Sequence, residues 1–143
     1  MAKTVSTLIG VVFILVGIVG FIAPGLMGSH LSLSHNIVHL LSGAVALYFG
    51  TKGTLAGARM FSIAFGVVYG ALGVAGFLLG SSGDPSEGMP LHGTIDSNLF
   101  KVIPGMLELG MMDHIIHIAI GALFLIAGFM TKAASQTTSE AAG

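Results

Sequence analysis

Ser34-His35-Asn36-Ile37-Val38-His39-Leu40-Leu41-Ser42-Gly43 returns further along the chain as Met112-Asp113-His114-Ile115-Ile116-His117-Ile118-Ala119-Ile120-Gly121. Each copy sets a histidine four residues before a glycine. A second glycine follows seven residues later (Gly50, Gly128), and each segment closes on Thr-Lys, at Lys52 and Lys132. At 100° per residue, His39, Gly43, Ala46 and Gly50 share one narrow stripe of a helix. His117, Gly121 and Gly128 form the matching stripe, with Phe124 in the place of Ala46. Each copy thus reads as a helix carrying a polar residue above a small-residue groove.

The surrounding chain is apolar. Of 143 residues, 54% are hydrophobic and 8% charged, against roughly 25% charged in soluble domains, and the mean hydropathy is +0.97. This composition predicts an integral membrane protein. The 22 glycines lie within apolar runs, as glycine does in membrane helices. A net charge of −1 provides no basic face for nucleic acid. The absence of cysteine removes disulfides, thiolate metal sites and thiol catalysis. Without tryptophan, interfacial anchoring falls to Tyr48, Tyr69 and the nine phenylalanines.

Four spans are expected. The first is Val5–Ala23, near the ~20 residues a bilayer core requires. It is too long for the apolar region of a signal peptide, and no small-residue cleavage pattern follows it, so it reads as a retained helix. Pro24-Gly25 stops it. The second span starts between Leu31 and Ser34 and ends at Gly50. Its purely apolar part, Ile37–Gly50, would be only about 21 Å long, so crossing takes His39, and with it His35, toward the membrane interior. Phe61–Gly80 is the third span, after a polar turn over Thr51–Met60. The fourth is Met112–Met130, and residues 133–143 read as a mobile tail. Between the last two spans lies Ser81–Met111, which holds Asp84, Glu87, His92, Asp96, Lys101 and Glu108. Its second half, Ser97–Leu109, is expected to form a short interfacial helix interrupted at Pro104-Gly105. Lys3, Lys52, Arg59 and Lys132 fall on one side of this arrangement and Lys101 on the other. The positive-inside rule therefore puts both termini in the cytoplasm and the histidine ends outside.

The first and third spans also correspond. Gly10-Val-Val-Phe13, Gly17, Gly20 and Phe21 are matched by Gly66-Val-Val-Tyr69, Gly73, Gly76 and Phe77, 56 residues on. His39 and His117 are 78 apart, so the second unit carries 22 extra residues in its outer loop. The fold expected is an all-α, single-domain membrane four-helix bundle. It is built from two parallel two-span units, about 5–52 and 61–132, with an extracytoplasmic loop over 81–111. Glycine seams such as Gly66-x-x-x-Gly70 would draw its helices together.

On Asn36-x-x-His39-x-x-x-Gly43, Arg59 with Gly66-Val-Val-Tyr69, and His114-x-x-His117-x-x-x-Gly121, the chain resembles a family of small four-span bacterial membrane proteins. That family is catalogued as a domain of unknown function. The resemblance runs from about Val5 to Gly128 and implies a multi-pass protein of the bacterial cytoplasmic membrane. In that family the last motif typically looks like Asn-x-x-His, and His114 stands here where asparagine is expected.

The histidines admit several readings. Ionisable residues in a membrane face the bundle interior or a cavity. His35, His39, His114 and His117, with Asp113, form a candidate ligand set for zinc or copper. His39 and His117 could instead hold a haem between facing helices, or one of them a chlorophyll-type magnesium. A structural reading needs no cofactor: neutral imidazoles bridge helices, while Ser34, Asn36 and Asp113 cap free amides. Proton handling is a third possibility, as in a small proton-coupled transporter. Asp84, Glu87 and His92 read as solvated loop residues. No nucleophile, P-loop or H-E-x-x-H motif supports an enzyme. The function expected is a non-catalytic membrane accessory or scaffold protein. Its partners would be the lipid bilayer and other membrane subunits or a second copy of itself.

Overall fold

A computed structural model describes residues 1–132 of the chain. The tail over 133–143 lies outside the described residues. Four helices, α1 (Ala2–Val19), α2 (Leu33–Thr51), α3 (Leu55–Leu79) and α4 (Met111–Met130), are joined by short turns and one folded excursion. That excursion carries β1 (Ser81–Gly83), β2 (Asp96–Ile103) and β3 (Leu107–Leu109). The protein is therefore mostly helical but not all-α. α1, α3 and α4 are long and apolar enough to cross a membrane. α2 is 19 residues long, about 28 Å, but its serines, Asn36 and histidines make it less apolar than the other three.

The helix limits differ from the sequence reading for local reasons. α1 ends at Val19, and tightening turns carry the chain through Gly20 to Pro24, where the Phe21, Ile22 and Ala23 amides bond back to residues 18 and 19. Ser32, rather than Ser34, caps α2, accepting from the His35 amide at 3.3 Å. α3 begins six residues before Phe61 because Thr54 caps it, its hydroxyl accepting from the Gly57 amide at 3.0 Å. The polar stretch around Arg59 is thus helical, and Lys52–Thr54 makes the turn. Tyr69, only 6% exposed, belongs to the core and is not an interfacial anchor.

The expected helix over Ser97–Leu109 is instead an antiparallel hairpin, β2 and β3, that turns at Pro104-Gly105 with Gly105 at φ 74. A proline inside a helix forfeits a backbone bond and clashes with the preceding turn, whereas Asn98-Leu-Phe-Lys-Val-Ile103 supplies strand-favouring residues with Leu99 buried. β1 pairs with the other edge of β2, giving the sheet order β1-β2-β3.

Helices associate as two hairpins, α1 with α2 and α3 with α4, and glycine sets their spacing. A Cβ on Gly10 would lie 2.9 Å from the Leu47 amide nitrogen and 3.1 Å from the Gly43 carbonyl. One on Gly66 would meet the Leu125 nitrogen at 2.8 Å and the Gly121 carbonyl at 2.9 Å. Gly17 lies against Leu40 and the Asn36 carbonyl in the same manner, and Gly73 against Ile118 and the His114 carbonyl. Side chains fill the seam between the hairpins. Phe49 stacks on Phe61 at 4.8 Å, Phe61 meets Phe65 at 4.2 Å, and Phe65 approaches Tyr69 at 5.7 Å. Tyr69 then stacks on Phe13 at 5.1 Å, and Phe13 touches His39 at 5.2 Å.

These contacts separate two glycines that look alike in the sequence. A Cβ at Gly121 would lie 2.5 Å from the Gly70 nitrogen and 2.7 Å from its Cα, whereas one at Gly70 meets nothing within 4 Å. Gly121→Leu should therefore destabilise by about 1–3 kcal/mol or more, as overpacking does. Gly70→Ala should be neutral or stabilising by up to about 1 kcal/mol. Thermal unfolding in detergent distinguishes the two outcomes.

Candidate functional site

The aromatic seam ends in a cluster of imidazoles. His35 and His39, one turn apart on α2, stack at 4.5 Å with planes 22° apart. His117 of α4 meets His35 edge-on at 5.9 Å and Tyr69 at 5.3 Å. All three histidines are buried. The His35 Nδ1 lies 2.9 Å from the His30 carbonyl oxygen, so that nitrogen carries the proton and donates. The Nδ1 atoms of His39 and His117 have no hydrogen-bond partner. Beside them, the Tyr69 hydroxyl donates to Ser42 at 3.1 Å.

Two cavities flank the cluster, and His39 and His117 line both. The larger, about 150 Å³, lies against α2 and α3 and includes His35, Tyr69, Val68 and Leu109 in its walls. The smaller, about 80 Å³, lies against α1 and α4 and includes Asp113, Val12, Phe13 and Ile116. The β-hairpin contributes Leu107 and Leu109 to the larger cavity, so the folded loop closes one end of it.

Of the five ligand candidates, His35, His39 and His117 converge, and the other two are engaged in fastening the fold. The Asp113 carboxylate accepts from the Gly110 amide at 2.9 Å, capping α4, and from the His30 amide at 3.0 Å. His114 is wedged against Gly76 and Phe77 of α3, with Nε2 donating to the Asn98 carbonyl at 3.0 Å. Its counterpart in the first motif, Asn36, lies against Gly20, so histidine and asparagine perform the same packing task. Among the described residues, no group of three or more histidine or carboxylate side chains is arranged to hold a metal ion. Neither cavity has room for a tetrapyrrole unless the hairpins part.

Sequence reasoning missed a second polar centre, at the end of the bundle that carries the strands. His30 is fully buried; its Nε2 lies 3.1 Å from Asp96 Oδ2 and its Nδ1 3.3 Å from the Pro90 carbonyl. Both ring nitrogens face acceptors. Burial acts to raise the Asp96 carboxyl, but the Asn98 amide, the His30 ring and the Met111 amide outweigh it and hold the group below its ordinary 3.8. Glu108 is buried too. Desolvation again opposes, yet the Ser86 hydroxyl, the Gly105 and Ser86 amides and the Lys101 charge leave its carboxyl below 4.5. The sequence showed these residues as scattered loop charges, and only the hairpin brings them to their partners. Asp84 and His92 remain half-exposed at 3.7 Å from each other.

Together these features define a mostly helical protein with three span-competent helices, compatible with a membrane protein. The chain belongs to the family described as a domain of unknown function (DUF4383), which matches residues 3–110. The match covers the first histidine motif and the β-hairpin and stops short of α4, so it does not reach the second motif. No curated protein and no solved structure matches the chain.

A carboxyl with a depressed folded-state value binds protons less readily folded than unfolded. Its stabilisation is complete above the ordinary value and is lost as the pH falls through the folded value. The unfolding midpoint in detergent should accordingly drop as the pH is lowered from about 5 toward about 3. Glu108→Gln, measured over the same range, should be less stable at the upper end and show a shallower decline.

Proposed function

We propose that the chain is a four-span, non-catalytic protein of the bacterial cytoplasmic membrane, an accessory or scaffold subunit made of two parallel two-span units. The observation that carries this reading is a shared register. Moving from α1 to α3 adds 56 to each residue number, and moving from α2 to α4 adds 78. Under that rule the contacts of Gly10 with Leu47 and Gly43 become those of Gly66 with Leu125 and Gly121. The contacts of Gly17 with Leu40 and Asn36 become those of Gly73 with Ile118 and His114.

The cavities follow the same rule. Val12, Phe13 and Val16 of the smaller one correspond to Val68, Tyr69 and Leu72 of the larger, and Asp113, Ile116 and His117 correspond to His35, Val38 and His39. Ser6 and Ser62, also 56 apart, sit within 3.3 Å of one another, as residues beside a pseudo-two-fold axis would. Such an axis along the membrane normal makes α2 equivalent to α4, which is span-competent by itself. It supports α2 as the fourth span, its histidines shielded in the seam. Outward-facing Leu8, Leu15, Val67, Leu123 and Ile126 are all exposed, giving faces suited to lipid or to other membrane helices.

Because the chain has no cysteine, single cysteines report its topology directly. Cysteine at Ile22 or Ile95, exposed at the histidine end, should react with an impermeant maleimide on intact cells. Cysteine at Leu55, the first residue of α3, should react only after permeabilisation. Labelling of Leu55 from outside, or of Ile22 and Ile95 from opposite sides, would sink the four-span arrangement. Gentle extraction that yields only a lone monomer would count against the scaffold role.

A further inference from the structure

The seam carries hydrogen-bonding capacity that the protein itself does not use. His39 and His117 are 6% and 3% exposed, both line the two cavities, and the Nδ1 atom of each is unmatched. A buried orphan N–H is rarer and costlier than an orphan lone pair. The favoured neutral tautomer therefore leaves the lone pair on Nδ1 and the proton on Nε2. His35 is fixed in the opposite sense: its Nδ1 donates to the His30 carbonyl, leaving Nε2 as an acceptor. The Tyr69 proton is committed to Ser42. The three histidines in the cavity lining thus carry two imidazole donors and one imidazole acceptor.

Volume and shape narrow the occupant. A cavity of about 150 Å³ matches in size an engineered apolar cavity that takes up benzene, so one six-membered ring fits. Phe65, Tyr69 and the histidines supply ring faces for stacking, and Val38, Leu72 and Leu107 complete an apolar wall. A metal ion suits the geometry poorly, because His35 and His39 lie face to face and no group of three or more among the described residues is arranged to hold one. Val38 and Val68, both in the cavity wall, are 43% and 60% exposed, so the cavity meets the outer surface between α2 and α3.

We propose that this seam binds a membrane-soluble six-membered ring bearing keto oxygens, the head-group chemistry of a quinone. A keto oxygen accepts from His39 and His117, and the ring enters sideways between α2 and α3. His35 serves the hydroxyl of the reduced form. The proposal rests on the membrane reading for the route of entry alone, and cysteine labelling judges that reading separately.

The test uses the full chain in quinone-free lipid nanodiscs, titrated with a benzoquinone carrying a single isoprene unit. Calorimetry and the emission of tyrosine, the only fluorophore given the absence of tryptophan, report binding. Saturable binding of one ring per chain is expected. His39→Phe and His117→Phe should each weaken it about tenfold, the scale of one buried hydrogen bond. Val68→Trp, at the exposed rim of the larger cavity, should weaken it at least as much without touching a histidine. Val12→Trp, at the matching rim of the smaller cavity, should leave it unchanged. Circular dichroism identifies any histidine variant that fails to fold, and the rim pair then decides the matter. Linear partitioning without saturation overturns the proposal, as does saturable binding indifferent to Val68→Trp.

Discussion

Backbone-to-backbone contact along the glycine stripes is the constraint on which the rest of this structure depends. Gly10 and Gly17 bring α1 against α2, and Gly66 and Gly73 bring α3 against α4, at distances that admit no side chain. In lipid, where apolar burial drives no helix association, such close packing is a main source of attraction. Once the glycine faces are used within each hairpin, only larger side chains remain for the seam between hairpins. Phe13, Phe61, Phe65, Tyr69 and Phe124 fill most of it. Bulky rings do not tile a seam perfectly, and the two cavities beside His39 and His117 are what remains.

The end that carries the strands is held by a different kind of force. His30 and Ser32, from the connection between α1 and α2, reach Asp96, Asp113 and the Met106 carbonyl of the second half. Glu108 gathers Ser86, Gly105 and Lys101 around one carboxylate. Buried charges are tolerated only when paired and hydrogen-bonded, and here each one joins segments that glycine packing cannot join. The folded loop is thereby fastened to both halves of the protein and walls one end of the larger cavity with Leu107 and Leu109.

Much of the helical frame was legible because apolar runs and residue spacing are local signals. The faces of α2 and α4 followed from the His-to-Gly spacing alone, and His35, His39 and His117 do meet. What escaped depends on partners distant in the chain. Asp113 and His114 share the motif of His117 but point to other tasks, one at a helix terminus and one against Gly76. Apolar residues in Ser97–Leu109 suit either a helix or a strand, and strand pairing with Leu107–Leu109 and Ser81–Gly83 decides between them. His30 carried no motif at all. Its importance comes from Asp96, 66 residues away.

Polar ties pin the two halves at both extremities. At the end that holds Ala2, its amide donates to Thr131 and Ser6 meets Ser62. At the opposite end His30, Asp96 and Asp113 do the same work. Between these ends the halves touch mainly through ring contacts and empty space. Rings slide and tilt at little cost compared with breaking a buried hydrogen bond. The molecule is therefore built like a barrel hooped at top and bottom with slack staves between. Strain imposed on it relaxes as a sideways swelling of the waist, leaving its height unchanged.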